Sequence, residues 1–123
     1  MSSVPSGVHE ISDRYVDELA ELDPVGATYL GISGQDAKMT DFSPDGFAAR
    51  AELVARTLRA IDGAQPANES ERVAKAHIAE RLGLDREIHE AGLDIADLNV
   101  IASPLQYIRQ VFDLMPTDTT EQW

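Results

Sequence analysis

Cysteine is absent from this chain of 123 residues, which excludes disulfides, thiolate zinc sites and cysteine nucleophiles together. Aromatic residues make up only 6%, and cations are scarce: 10 Lys and Arg stand against 22 Asp and Glu, for a formal charge of −12. A balance of that sign repels the phosphate backbone of nucleic acid and the headgroups of anionic lipid, so neither is an expected partner. No run approaches the roughly 18 apolar residues of a membrane-spanning helix. The opening MSSVPSG has neither the basic region nor the apolar stretch of a secretory signal, and a cytoplasmic location is the resulting expectation. No glycine-rich phosphate cradle, internal repeat or low-complexity tract is present.

What remains is the composition of a folded protein, 43% hydrophobic and 26% charged, at a length that suits one modest core. Val8, Ile11, Tyr15, Leu19 and Leu22 recur at steps of three and four, which predicts a helix beginning after Ser6. Asp23 as cap and Pro24 at the first turn begin a second, short helix closed by Gly31. Residues 31 to 43 hold no sustained period and read as a loop. A third helix starts at Ser43-Pro44-Asp45, carries Phe47, Ala51, Val54, Leu58 and Ile61, and is expected to stop at Gly63.

A fourth helix spans about Asn68 to Ala91, with Ala74, Ile78, Leu82 and Ile88 on its buried side; Gly83 in its middle predicts a bend or break. Ser103-Pro104-Leu105-Gln106 is a strong helix start, since glutamine three residues after the serine can return a bond to the cap. The stretch LQYIRQVFDLM that follows, ended by Pro116, leaves about half its circumference apolar, and a helix this apolar is normally covered on two sides. Asp118 and Glu121 repeat the capping-box spacing, with Trp123 as the first large apolar residue of another helix. The prediction is an all-α fold, an irregular array of about five helices, forming a single helical segment over 1–123. The opening of a further helix at Trp123 gives the expectation of an N-terminal part of a longer protein, because one turn cannot hold itself.

Each chemical motif is tested by spacing. HEISD, residues 9 to 13, is one letter from H-E-x-x-H, the zinc motif in which two histidines one helical turn apart hold the metal. His9 and Asp13 lie off the apolar stripe, however, and a catalytic zinc needs at least three ligands in a cleft. His89-Glu90 lacks the second histidine. His77 and His89 are separated by about 18 Å of helical rise, too far to share an ion. Asp36, Asp41 and Asp45 fail the calcium-loop pattern, whose twelfth position from Asp36 falls on Phe47. Ser43 and Ser103 are capping serines with no base assigned by spacing. No self-sufficient catalytic constellation emerges, so the catalytic, cofactor and metal residues expected in this chain are none.

The segments ISDRYVDELAELDPVGATYLGI, TDFSPDGFAARAELVARTL and especially DLNVIASPLQYIRQVFDLMPTDT resemble the N-terminal portion of the bacterial family called domain of unknown function 885, from about Ile11 to Trp123. The resemblance implies a longer, largely helical protein similar to zinc-dependent peptidases, with an H-E-x-x-H motif far downstream and zinc as the cofactor of the full-length form. It implies hydrolysis of a peptide or similar amide there. That motif maps onto no residue of this sequence. Similar proteins carry a histidine beside the aspartate after Gly34, where this chain has Gly34-Gln35-Asp36, so no ligand or proton-transfer role is carried over to the loop. The resemblance further implies that the N-terminal helices wall a substrate channel, with Asn99, Ser103, Gln106 and Arg109 as candidate cleft-lining residues.

The expected function is thus a scaffold or channel wall, inactive alone, whose partners are the C-terminal remainder of the same protein and a peptide substrate. Two alternatives belong to other classes. One is a stand-alone helical module whose apolar face docks a partner helix or a second copy. The other is a small metal binder using His9, His77 or His89, which would take up zinc stoichiometrically.

Overall fold

A computed structural model describes residues 7–122, so Ser6 and Trp123, which bound the predicted elements, lie outside the described residues. Among the described residues the chain is all-helical and has no strand, with five α-helices and a final 3-10 turn. The helices are α1 (Val8–Leu22), α2 (Pro24–Tyr29), α3 (Pro44–Gly63), α4 (Glu69–Glu90) and α5 (Pro104–Val111). The three long ones, α1, α3 and α4, pack on one another, α2 turns off the end of α1, and α5 packs on α2.

The starts follow the capping chemistry of the sequence. Asp23 Oδ1 accepts from Gly26 N at 3.1 Å, Ser43 Oγ from Gly46 N at 3.3 Å and Asn68 Oδ1 from Glu71 N at 2.9 Å, each satisfying a donor that has no partner within its helix. The Glu71 carboxylate returns to accept from Ala67 N at 2.8 Å, which explains an acid that is buried. At the other end of α3, Lys75 Nζ reaches across from α4 to the carbonyls of Asp62 and Ala64, at 2.9 and 2.8 Å, placing a cation against the negative end of the helix.

The core is small. Val8, Ile11, Ile61 and Ala64 form its buried cluster, with Ala74 and Ile78 of α4 laid against it; Leu53, Val54 and Leu82 continue the buried line along the three long helices. The loop between α2 and α3 is held by Thr40, a buried hydroxyl that accepts from Val25 N at 3.0 Å and donates to Asp23 Oδ1 at 2.5 Å. One side chain therefore ties the loop to the cap of α2. Glu18 of α1 joins Arg14 on its own helix and Arg56 on α3.

Several expectations need correction. Gly83 does not break α4, which runs unbroken for 22 residues, because packing along its apolar side outweighs the glycine's propensity cost of about 1 kcal/mol. Gly63 is the last helical residue rather than the stop, and the chain leaves through extended Ala64. The fifth helix ends at Val111, short of Pro116, with Phe112 as its cap and turn bonds from Asp113 N to Gln110 O and Leu114 N to Val111 O. Among the described residues it packs on α2. Ser103 and Val111 are buried, but Leu105, Tyr107, Phe112 and Leu114 are exposed. The last turn, Thr120–Gln122, is 3-10, and Gln122 rather than Glu121 reaches back, accepting from Asp118 N at 2.7 Å and Thr119 N at 3.0 Å.

Candidate functional site

Five titratable groups meet where α1, α3 and α4 converge near the end of α4. Tyr15 and Leu19 of α1, Phe47 and Arg50 of α3 and Asp85 and His89 of α4 line a cleft of about 280 Å³. Asp94 closes it, and the reason is local. Gly92 adopts φ +70° and ends α4 with paired bonds from Leu93 N to Ile88 O at 3.0 Å and Gly92 N to His89 O at 2.9 Å, a left-handed helix stop that only glycine enters cheaply. The reversal brings Asp94 Oδ2 to 2.6 Å from His89 Nδ1.

An imidazole held at one nitrogen by a carboxylate leaves the other able to take or give a proton. Burial raises the Tyr15 hydroxyl above its ordinary pKa, and the Asp85 carboxylate pushes in the same direction. Arg50 stands over the Phe47 ring, 4.7 Å from its centre, and donates to Asp41 O at 2.8 Å. The Asp41 carboxyl is held below its ordinary range by hydrogen bonds from Ser43, helped by the Arg50 charge. No serine, threonine or cysteine lines the cleft. The pair can exchange a proton with a bound molecule, but no aliphatic hydroxyl or thiol stands beside it to attack a carbonyl.

Sequence reasoning missed this pairing because it tested His89 only against helical spacings. The legible signal was Gly92 between a histidine and an aspartate, since a glycine stop folds position 94 back onto 89.

The four candidate cleft-lining residues divide. Asn99, Ser103 and Gln106 come together in one network: Asn99 Oδ1 accepts from Ile101 N at 2.9 Å and Ala102 N at 2.8 Å, and Gln106 Nε2 donates to Asn99 O at 3.1 Å. Gln106 Oε1 accepts from Ser103 N at 3.0 Å and from the Ser103 hydroxyl. This is the capping box of α5 extended backwards to fix the loop before it. Arg109 is exposed and takes no part in the network.

In the Gly34-Gln35-Asp36 loop, Asp36 accepts from Thr28 Oγ1 at 3.4 Å, while Gln35 Oε1 is buried with no hydrogen-bond partner.

The residues present do not fit zinc. His9 and Asp13 are exposed on α1, His89 is paired with a single carboxylate, and no three His, Asp or Glu side chains among the described residues converge as a metal would require. No helix among the described residues is long and apolar enough to cross a membrane.

Comparison with known proteins agrees with the segments singled out above, beginning somewhat later than Ile11. No curated protein matches the chain. The model of one family, described as bacterial protein of unknown function (DUF885), matches residues 24–123, from the first residue of α2 through the whole of α3, α4 and α5. The chain belongs to the DUF885 family.

Proposed function

We propose that this chain is a non-catalytic helical wall of a larger, peptidase-like member of its family, and that polypeptide beyond these residues covers its loop 92–103 and α5. The observation that carries the reading is the apolar side chains left in water there: Leu93, Ile95, Leu98, Val100 and Ile101 are all exposed, Val100 at 92%. Apolar surface gathered in one stretch is a mark of a face built to be covered. In this reading zinc and the activated water belong to residues outside the 123, since the donors present do not fit the metal. Of the four cleft-lining candidates, Arg109 is the one whose head group is available to a substrate, and Asn99, Ser103 and Gln106 hold the wall's shape.

The test is made on the purified 123-residue chain. Enhanced fluorescence of an apolar dye such as ANS, with no peptide hydrolysis and no stoichiometric zinc uptake, is the expected result. A cooperatively melting monomer that binds no dye, or a chain that cleaves peptides unaided, overturns the reading. The rival of a free-standing interaction module is separated from it by the coding sequence past codon 123: a continued frame with H-E-x-x-H favours the wall, and a stop codon favours the module.

A further inference from the structure

The face of α5 and its preceding loop leaves apolar side chains in water on a segment that is itself acidic. Ser103 and Val111 point inward, and Tyr107 meets Tyr29 of α2 edge to face at 6.0 Å while its carbonyl accepts from the Tyr29 hydroxyl at 3.2 Å. With that face of α5 spent on α2, helical periodicity puts Leu105 and Phe112 outward, where they are 64% and 56% exposed, and Ile101 precedes them at 83%. Residues 93–122 carry the acids Asp94, Asp97, Asp113, Asp118 and Glu121 against a single base, Arg109. Asp94 is paired with His89, and no Lys or Arg among the described residues pairs with the other four acids.

We infer that this face, centred on Ile101, Leu105 and Phe112, is a docking surface for a cationic amphipathic helix. The inference rests on the reading that the face is covered in the working protein, and it names the chemistry of what covers it. The apolar ridge takes the apolar side of a helix, and the carboxylates of the same segment that no Lys or Arg pairs take its lysines or arginines. A second copy of this chain is disfavoured, because it would bring the same unpaired acids together on a molecule already at −12. Anionic lipid is repelled for the same reason. No strand edge is present among the described residues to accept an extended peptide.

The test uses the 123-residue chain and labelled model helices read by fluorescence anisotropy: an amphipathic Leu/Lys peptide, its Leu/Glu counterpart, and a Lys/Ser peptide of equal charge with no apolar side. The Leu/Lys helix is expected to bind at least about tenfold more tightly than either of the others, and to weaken as salt screens the charges. The double variant Leu105→Ser/Phe112→Ser, which leaves the charge unchanged, is expected to lose about tenfold in affinity or more. Val73→Ser, an exposed valine on α4, is expected to lose nothing.

Equal binding of the Lys/Ser peptide, or an unaffected double variant, reduces the effect to bulk charge and overturns the inference. A chain that binds ANS yet prefers the Leu/Glu helix, or neither, also overturns it while leaving the covered-face reading intact. A chain that binds neither dye nor any peptide overturns both.

Discussion

At the scale of single residues, two glycines and a tyrosine make separable claims. Gly46 sits in the first turn of α3 so close to the loop that a Cβ would be driven into the backbone carbonyl of Asp41. Gly46→Ala is therefore expected to destabilise by about 1–3 kcal/mol, as overpacking against backbone does, read as a lowered urea midpoint. Gly83 on α4 faces open space, with nothing within 4 Å of an added Cβ. Gly83→Ala should stabilise by about 1 kcal/mol, and a loss of stability there would mean that α4 is not the uninterrupted helix described. For Tyr15 the sign of the pH dependence follows from the raised folded-state pKa. The folded protein holds the phenolic proton more tightly than the unfolded chain does, so the contribution is full below about pH 10 and is lost as pH rises through the folded value. Thermal melts between neutral and strongly alkaline pH should show Tyr15→Phe closing part of the alkaline loss; identical pH profiles would refute the assignment. The caps Asp23, Ser43 and Ser103 were legible at this scale, since they need only their next three residues to be understood. The burial of Glu71 and Thr40 was not, because their partners are set by how the chain folds back.

At the scale of elements, the stops decide more than the starts. Gly31 and Gly92 both take positive φ and close α2 and α4 with paired backbone bonds. Gly92→Ala should cost on the order of 1–2 kcal/mol for placing a Cβ in the left-handed region. It should also increase hydrogen exchange at the amides of residues 92 and 93, which donate the closing bonds; unchanged exchange there would show that the turn is held by something else. The third helix was read to its end within a residue, because Phe47, Val54, Leu58 and Ile61 keep period over its whole length. The fifth was read too long. Its apolar letters continue to Met115, but α2 is too short to support a longer partner, and beyond Val111 no packing repays the ordering of a further turn. Amphipathic lettering reports a tendency, and the length realised depends on what lies alongside.

At the scale of the whole molecule, the core is thin for the chain it must hold, with Ile61 at 1% exposed and Val8 at its centre. Ile61→Ala is expected to remove about 2–5 kcal/mol, a large share of the stability of a domain this size, and to leave a broad or absent thermal transition. A sharp, cooperative melt in that variant would place the stabilising contacts elsewhere. The same thinness is the counterpart of the apolar side chains standing in water around α5. The all-helical class, the helix starts and the family were determined by the sequence alone, because periodicity and caps act over a few residues. Only the tertiary structure decided that His89 meets Asp94 across a glycine stop, that Gly83 leaves α4 unbroken, and that α5 is covered on one side and bare on the other. Those outcomes depend on which surfaces find partners, and packing joins residues that lie far apart along the chain.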